Sequence, residues 1–248
     1  MLSDEELERY SRQIMLPGVG LGGQEKLKTA RVLVVGAGGL GSLSCLYLAA
    51  AGVGNLVVAD PDTVALSNLN RQILHATGDL GRPKTASAHS RLQELNPTIR
   101  LDCRQAVFAS DTWDALTRDV DIIVDGTDNR RARRLLNRAC LARKVPFVFG
   151  GVQELDGMVM TVIPGQGPCF ECLFPGTDEP IAKGILGPVA GMIASIQSLE
   201  VIKLILGLGQ SLAGRLIHIQ GLAMRVREVR IHPNPSCQTC QGSVPRIG

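Results

Sequence analysis

Four of the seven cysteines in the chain form two closely spaced pairs. Cys169 and Cys172 have two residues between them, and Cys237 and Cys240 repeat that spacing. Each pair can bind a tetrahedral metal ion with two thiolates, and four thiolates make a closed structural Zn²⁺ site. Free thiols and a redox pair are the alternatives, but two matched pairs favour zinc. We therefore predict a zinc clasp that ties the C-terminal tail back to the middle of the chain.

A glycine-rich turn ends the apolar run "VLVVGAGGLG", residues 32–41. Gly36, Gly38 and Gly41 match the pattern G-x-G-x-x-G between a predicted strand and a predicted helix. Without side chains the backbone can approach a phosphate, and the start of the helix supplies free N–H groups. Asp60 ends the next predicted strand, where its carboxylate can bind a ribose hydroxyl. Alone, these residues indicate a nicotinamide or flavin enzyme such as an NAD(P)-dependent oxidoreductase, although several nucleotide-binding families share the pattern.

Further polar residues indicate a triphosphate rather than a dinucleotide. Arg71 lies in "DPDTVALSNLNRQILH", and Lys84 stands at the start of a predicted helix. Two such cations suit the outer phosphates of ATP. "DGTDN" ends another predicted strand, where Asp128 is a candidate Mg²⁺ ligand at the carboxyl edge of the sheet. Asp125 precedes a glycine, and we expect its carboxylate only to satisfy backbone N–H groups. The sequence contains no P-loop pattern.

The composition is that of a globular chain of 248 residues, with 45% hydrophobic residues, 20% charged residues and a net charge of +3. This balance argues against a dedicated nucleic-acid binder, and we interpret the arginine-rich run 129–138 as the solvated face of a helix. No stretch of about 18 uncharged apolar residues is present, which argues against a membrane span. The acidic N-terminus does not resemble a signal peptide. We therefore expect a cytoplasmic protein without structural disulfides.

Apolar strands alternate with helices through the first part of the chain, which predicts a Rossmann-like α/β fold. In such a fold a mostly parallel sheet carries helices on both faces. After about residue 151 the pattern changes, and we expect antiparallel strands to extend the same sheet. We predict a single domain, 1–248, with a nucleotide-binding half, 1–150, and a zinc-containing half, 151–248.

Two further predictions concern the N-terminal region. "DEELERYSRQ" predicts one helix, because Ser3 and Glu6 have the spacing of a capping box. The glycine-rich stretch 18–27 predicts a connector without regular structure.

Five motifs follow one another along the chain: "RYSRQI" (9–14), "VGAGGLGS", "DPDTVALSNLNRQ", "GRPK" and "DGTDN". In this order they resemble the ubiquitin-activating-like adenylyltransferases of sulfur-carrier pathways, the MoeB/ThiF/HesA family. The resemblance covers nearly the whole chain, and the cysteine pairs agree with it. It implies that Mg-ATP is used to adenylate the C-terminal glycine of a small ubiquitin-fold sulfur carrier ending in Gly-Gly, as in molybdopterin or thiamine biosynthesis. The acyl-adenylate then accepts sulfur to become a thiocarboxylate.

The resemblance also implies roles for residues at matching positions. Gly39 lies against the nucleotide, Asp60 holds the ribose, and Asp128, beside Asn129, is the magnesium ligand. The residues that line the phosphate channel are Ser67, Asn68, Arg71 and Lys84. Arg12 resembles an arginine that reaches into the ATP site of the partner subunit in this family's dimers, so we expect a homodimer.

One departure from the family concerns sulfur. Many relatives have another cysteine in the irregular segment after the first pair, where Pro180 or a neighbour stands here. No cysteine lies between Cys172 and Cys237. We therefore expect adenylation without a covalent thioester, and sulfur from a separate sulfurtransferase. A non-catalytic, zinc-clasped scaffold that binds a ubiquitin-fold partner is the remaining alternative, and the intact nucleotide motifs argue against it.

Overall fold

The computed structural model describes residues 1–176 and 184–240. Its strands are β1 (Arg31–Val35), β2 (Asn55–Ala59), β3 (Arg100–Arg104), β4 (Ile122–Asp125), β5 (Phe147–Gln153), β6 (Asp156–Val162), β7 (Arg215–Gln220) and β8 (Arg225–Arg230). They form one sheet in the order β3-β2-β1-β4-β5-β6-β7-β8. Neighbouring strands from β3 to β5 are parallel, and those from β5 to β8 are antiparallel. The predicted parallel sheet with an antiparallel extension is confirmed.

Helices lie on both faces of this sheet, as predicted. The α-helices in the described residues are α1 (Asp4–Arg9), α2 (Ser11–Ile14), α3 (Gly20–Thr29), α4 (Gly39–Ala50), α5 (Lys84–Leu95), α6 (Trp113–Leu116), α7 (Arg130–Arg143), α8 (Phe170–Leu173) and α9 (Gly187–Leu206). Short 3-10 helices occupy Leu66–Asn68 and Thr77–Asp79. Buried side chains of α3, α4, α5 and α9 pack on one face, and those of α6, α7 and α8 pack on the other.

β1 shows how the sheet forms its two cores. Val32 and Val34 pack with the cluster under α4 and α9, whereas Leu33 and Val35 pack with the cluster under α7. Because both faces of the strand are covered, its sequence is continuously apolar rather than alternating. Because β1, β2 and β4 are parallel, their carboxyl ends lie at the same edge of the sheet.

The second half of the chain continues the sheet instead of starting another one. β5 pairs with β6 in a hairpin whose closing pair is Gln153 and Asp156. The predicted boundary at residue 150 thus falls inside β5. Val159 of β6 packs in the same core cluster as α4 and α9.

The connector predicted over 18–27 is wrong, because most of this stretch belongs to helix α3. Its glycines disfavour a helix intrinsically, but tertiary contacts outweigh that preference. Leu27 and Gln24 are buried, and the Gln24 Nε2 donates to the Ala51 carbonyl at 2.9 Å. Gly23 lies so close to Leu206 that a methyl group there would be 3.2 Å from its Cδ2.

The single helix predicted over the N-terminal segment is divided in two. The capping box is present, since the Ser3 Oγ accepts from the Glu6 N–H and the Glu6 carboxylate accepts from the Ser3 N–H. The break comes at Tyr10, a buried residue whose hydroxyl accepts a hydrogen bond from Asn96 Nδ2 at 2.7 Å. Anchoring the ring in the core interrupts the helix between α1 and α2.

α9 is long and apolar enough to cross a membrane by length and composition, and half of its most apolar window is buried inside the fold. It also contains two charged residues, Glu200 and Lys203. Glu200 is 2% exposed, and its Oε2 accepts from Thr161 Oγ1 at 2.9 Å and from Leu212 N at 2.7 Å. The helix is therefore bonded to the sheet as a core element.

Candidate functional site

The glycine turn lies where the carboxyl ends of β1 and β4 meet. Gly36 has φ +94°, and a Cβ there would be 2.5 Å from the Gly126 carbonyl oxygen. A Cβ on Gly41 would be 1.7 Å from the Gly36 carbonyl oxygen. These positions need glycine because two backbones and the first turn of α4 pass within contact distance. The turn thus has room on its outer side only.

α4 begins at this turn with unused hydrogen-bond donors. Gly38 is the N-cap residue, and no side chain caps the helix. Within the described residues, no acceptor bonds the N–H groups of Gly38, Gly39, Leu40 or Gly41. A helix of this length presents the positive end of its dipole together with these N–H groups. The arrangement can hold an anion such as a phosphate.

Asp60 supports the turn from below. It is 4% exposed, its Oδ2 accepts from Ala37 N at 2.7 Å, and its Oδ1 accepts from Asp62 N at 2.8 Å. Each carboxylate oxygen keeps a second lone pair. The contacts therefore assign Asp60 a structural role, and the predicted bond to a ribose hydroxyl stays a prediction.

Arg71 lies directly against Gly39, as its Cγ is 3.6 Å from the position of a Cβ on that glycine. Its Nη1 donates to the Ser67 carbonyl at 2.9 Å and to Asn70 Oδ1 at 3.0 Å. Asn68 accepts from Ala65 N at 3.2 Å and so closes the short helix that carries Ser67. Arg71 is thus brought to the turn, and its bond to the Ser67 carbonyl connects it to the loop that carries Ser67 and Asn68.

Lys84 is the first residue of α5, and it is buried although it is charged. Its Nζ lies 2.9 Å from the Asp62 Oδ2, and Asp62 itself is largely exposed. Asp60 binds the backbone N–H of Asp62, which links this pair to the turn. The ammonium group is therefore held near the site by an exposed carboxylate.

Two aspartates near the carboxyl end of β4, Asp125 and Asp128, have different surroundings. Asp125 is fully buried and accepts from Arg133 Nε at 2.9 Å and from Thr127 Oγ1 at 2.6 Å. Asp128 is exposed, and its Oδ1 accepts a long hydrogen bond of 3.3 Å from Asn129 Nδ2. Asn129 also caps α7 by accepting from Ala132 N at 2.9 Å. Asp128 is thus the carboxylate at this edge with oxygen atoms available to a cation.

Arg12 does not belong to this site within one chain. The next residue, Gln13, donates to the Ala51 carbonyl at 3.0 Å, and Ala51 is the C-cap of α4. The glycine turn is at the opposite end of α4, and a helix of that length spans roughly 18 Å. Arg12 is exposed, and its guanidinium forms no hydrogen bond or ion pair with another described residue.

Two residues at the turn were given no role in the sequence analysis. His75 is buried, with Nε2 3.0 Å from the Ala37 carbonyl oxygen and Nδ1 2.8 Å from Ser87 Oγ, and burial lowers the pKa of its imidazole. Gln72 is also buried, and its Nε2 is 3.7 Å from the position of a Cβ on Gly38. Both follow the recognised Arg71 within a few residues, and that proximity was the available signal.

The four predicted cysteines come together on the α7 side of the sheet. All four Sγ atoms lie within 4.8 Å of one another. The Cys169 Sγ is 3.8 Å from that of Cys172 and 3.7 Å from that of Cys237, and the Cys172 and Cys240 sulfurs are 3.4 Å apart. Zinc–sulfur bonds of about 2.3 Å in a tetrahedron put the sulfurs about 3.8 Å apart. The predicted cluster is confirmed, and its geometry fits a metal ion.

Glu171 ties both cysteine pairs to α7. It stands between the first pair, is 8% exposed, and accepts through Oε2 from Thr239 Oγ1 at 2.8 Å, a residue between the second pair. The same Oε2 accepts from Asn137 Nδ2 at 3.1 Å, and Oε1 accepts from Arg134 Nη1 at 3.1 Å. One carboxylate therefore connects the two chain segments of the cluster to the helix that Asn129 caps.

A half-open cavity of about 470 Å³ lies between the metal cluster and the β5–β6 hairpin. Three phenylalanines line it, and the ring centroids of Phe149 and Phe170 are 5.1 Å apart. Arg133 is also in the lining, and its guanidinium carbon is 5.2 Å from the Phe149 centroid. The bond from Arg133 to Asp125 links this cavity to the edge that carries the glycine turn.

Known proteins with similar sequences cover the chain almost completely. It is 40% identical over 244 residues to "Molybdopterin-synthase adenylyltransferase" of Escherichia coli, with 96% of this chain and 98% of the relative aligned. It is 41% identical over 247 residues to "Sulfur carrier protein adenylyltransferase" of Thermus thermophilus, covering 95% and 91%. It is 42% identical over 246 residues to "Adenylyltransferase and sulfurtransferase MOCS3" of Anopheles gambiae, covering 96% of this chain but only 56% of that protein.

The fold is also found among solved structures. The Escherichia coli protein MccB, in a complex described as "MccB + MccA-N7isoASN", superposes with a TM-score of 0.84 at 24% identity, over 97% of this chain and 75% of that one. At this identity the likeness concerns the fold alone. The model of the ThiF family matches residues 10–239. The chain therefore belongs to the ThiF family, which confirms the resemblance seen in its motifs.

Proposed function

We propose that this protein is an adenylyltransferase that uses ATP to activate the C-terminal glycine carboxylate of a small ubiquitin-fold sulfur carrier. The observation that carries the proposal is the convergence at one sheet edge of an uncapped helix start, a held arginine and a buried lysine. Membership of the ThiF family, with relatives named as adenylyltransferases, supports the same activity.

The reaction depends on positioning of the reactants and on neutralisation of the phosphate charges more than on acid–base catalysis. A glycine carboxylate is ionised at pH 7 and attacks the α-phosphorus without a general base. The start of α4 orients the phosphates, and Arg71 and Lys84 neutralise the charge that develops on the pyrophosphate leaving group. Lys84 exchanges Asp62 for a phosphate oxygen when ATP binds. Asp60 and His75 keep the backbone of the turn in place.

Magnesium fits the residues present. Asp125 and Asp60 already accept hydrogen bonds from the protein, whereas Asp128 is exposed with a single weak contact to Asn129. A hard carboxylate oxygen is a suitable ligand for Mg²⁺. We propose that Asp128 holds the ion, which supplies additional neutralisation of the phosphates when it is bound.

Zinc fits the four-cysteine cluster for a different reason. Sulfur-only, four-coordinate sites are structural and leave no position open for a substrate. Cys169, Cys172, Cys237 and Cys240 would hold the ion, and its chemistry is to stabilise the fold rather than to activate a reactant.

The partners follow from the proposed reaction. The carrier ends in Gly-Gly, and its narrow tail can reach the turn while the cavity at Phe149 and Phe170 receives a side chain of the carrier. Since no cysteine lies between Cys172 and Cys237, sulfur comes from a separate sulfurtransferase. We propose a cytoplasmic homodimer in which Arg12 serves the site of the other subunit, acting in molybdopterin or thiamine biosynthesis.

The class of nucleotide that binds distinguishes the proposed adenylyltransferase from an NAD(P)-dependent oxidoreductase. A ligand that binds only the folded protein raises the melting temperature, by roughly 5–10 °C for a chain of this size at 100 times its Kd. We expect that shift with MgATP and none with NAD⁺ or NADP⁺. A shift with a dinucleotide alone would replace the proposal with the oxidoreductase. A shift with ATP but no activity towards any carrier would favour the scaffold.

A further inference from the structure

Gln72 is a buried polar residue whose amide is only partly explained by the fold. Its side chain is 5% exposed, and Oε1 has no hydrogen-bond partner within the described residues. Its backbone is fully used, since N donates to Asn68 O at 2.9 Å and O accepts from His75 N at 3.1 Å. A buried amide without a partner destabilises the unliganded protein. The Nε2 of the same amide also has no hydrogen-bond acceptor among the described residues, so it is a donor that a ligand can use.

The position of the amide suggests one. Nε2 lies 3.7 Å from the place of a Cβ on Gly38, the N-cap of α4. Arg71 packs against Gly39 in the same way, so two consecutive side chains border two consecutive glycines. The N–H groups of that helix start have no acceptor among the described residues. Three kinds of donor, namely backbone N–H, guanidinium and amide, therefore surround one small volume.

We infer that Gln72 contacts the nucleotide directly, with Nε2 donating a hydrogen bond to the phosphate oxygen that the start of α4 binds. This inference rests on the proposed function, because it takes ATP as the ligand of the turn. A neutral donor adds a directional bond beside Arg71 without bringing a second charge into a buried position.

The test compares isosteric variants in the full chain. Gln72→Met keeps the length of the side chain and removes the amide, and Gln72→Glu replaces the donor with an anion. Gln93→Met, at an exposed position on α5, is the matched control. Melting temperatures without ligand come first, followed by titration calorimetry with MgATP and, separately, with adenosine.

We expect Gln72→Met to melt at or above the wild-type temperature and to bind MgATP about tenfold more weakly. Gln72→Glu should lose more, because its charge repels the phosphate. Adenosine, which has no phosphate, should bind both variants and the wild type alike. The control variant should match the wild type in every measurement.

Three results would overturn the role. One is unchanged MgATP affinity in Gln72→Met. The second is an equal loss for adenosine, which would mean that the site is merely deformed. The third is failure of both variants to fold, because Gln72 would then stabilise the empty protein. If the wild type itself bound no MgATP, the proposed function would fail instead, and this role would fail with it.

Discussion

Gly39 and Gly41 both lie in the first turn of α4, but a methyl group would meet different surroundings at each. At Gly41 it would be 1.7 Å from the Gly36 carbonyl oxygen, a backbone atom that cannot move aside. At Gly39 it would meet Ala190 and Arg71 at ordinary contact distances of 3.5 Å and 3.6 Å. Of these two positions, the fold therefore needs glycine at 41, whereas it tolerates a methyl group at 39.

We predict that Gly41→Ala lowers the free energy of unfolding by about 3 kcal/mol, through overpacking. Gly39→Ala should leave it unchanged, because alanine suits a helix start, yet should weaken ATP binding. Chemical denaturation and ATP titration of both variants check this. Equal stabilities of the two variants would contradict the described geometry.

His75, which is bonded to Ala37 in the glycine turn, makes the stability of the fold depend on pH. The Ala37 carbonyl can only accept, so Nε2 carries the proton of the neutral ring and Nδ1 accepts from Ser87. Burial lowers the pKa of His75 from its ordinary value of 6.5. The unfolded chain therefore binds a proton more readily than the folded one, and stability present above pH 6.5 is lost as the pH falls towards the folded pKa.

We predict that His75→Gln loses less stability than the wild type between about pH 7 and pH 5, by at most about 1.4 kcal/mol per pH unit. His89→Gln, exposed on α5, should behave as the wild type. Denaturation at a series of pH values measures the difference. Parallel curves for all three proteins would show that His75 does not titrate in this range.

At the scale of elements, α7 connects the metal cluster to the nucleotide edge. Glu171 receives bonds from Thr239, Asn137 and Arg134, and the N-cap of the same helix is Asn129. Partners behind metal ligands commonly change metal affinity by about 10- to 100-fold when removed. The carboxylate is also a buried charge, so removing it leaves its partners uncompensated.

We predict that Glu171→Ala lowers the free energy of unfolding by about 3 kcal/mol and releases zinc to a chelator at a lower chelator concentration than the wild type. Glu171→Gln should retain most of the metal affinity, because its oxygen still accepts from Asn137. Glu228→Ala removes a partner of Arg215 in an exposed pair, and it should change stability by less than about 1 kcal/mol. Unaltered zinc release from Glu171→Ala would show that the network does not support the cluster.

Elements with strong patterns could be predicted from the sequence, and those decided by tertiary contacts could not. β1 and β4 are continuous apolar runs, and the matched cysteine spacing indicates a metal cluster without any knowledge of the fold. α3 was missed because three of its residues are glycine, and its stability comes from Leu206 and Ala51, far away in sequence. Gln72 and Glu171 were given no role for a similar reason, since their surroundings are set by packing and not by spacing.

For the whole molecule, the position of Arg12 indicates whether this residue acts on the nucleotide of its own chain or of a second subunit. Gln13 anchors α2 at the far end of α4 from the turn, so Arg12 can serve a nucleotide only in another subunit. We predict that Arg12→Ala and Asp128→Ala are each inactive, but that their co-expression restores about a quarter of the wild-type activity, because half of the dimers then contain one intact site. Recovery of none would mean that both residues act in the same chain.

Carrier-dependent exchange between ATP and pyrophosphate is a direct measurement of adenylation by this protein. The purified protein is incubated with MgATP, labelled pyrophosphate and each candidate carrier that ends in Gly-Gly. Asp128→Ala and a carrier without its terminal glycine are the controls. We predict exchange with one carrier and its loss in both controls. Exchange with no carrier, from a protein that binds ATP, would contradict adenylation.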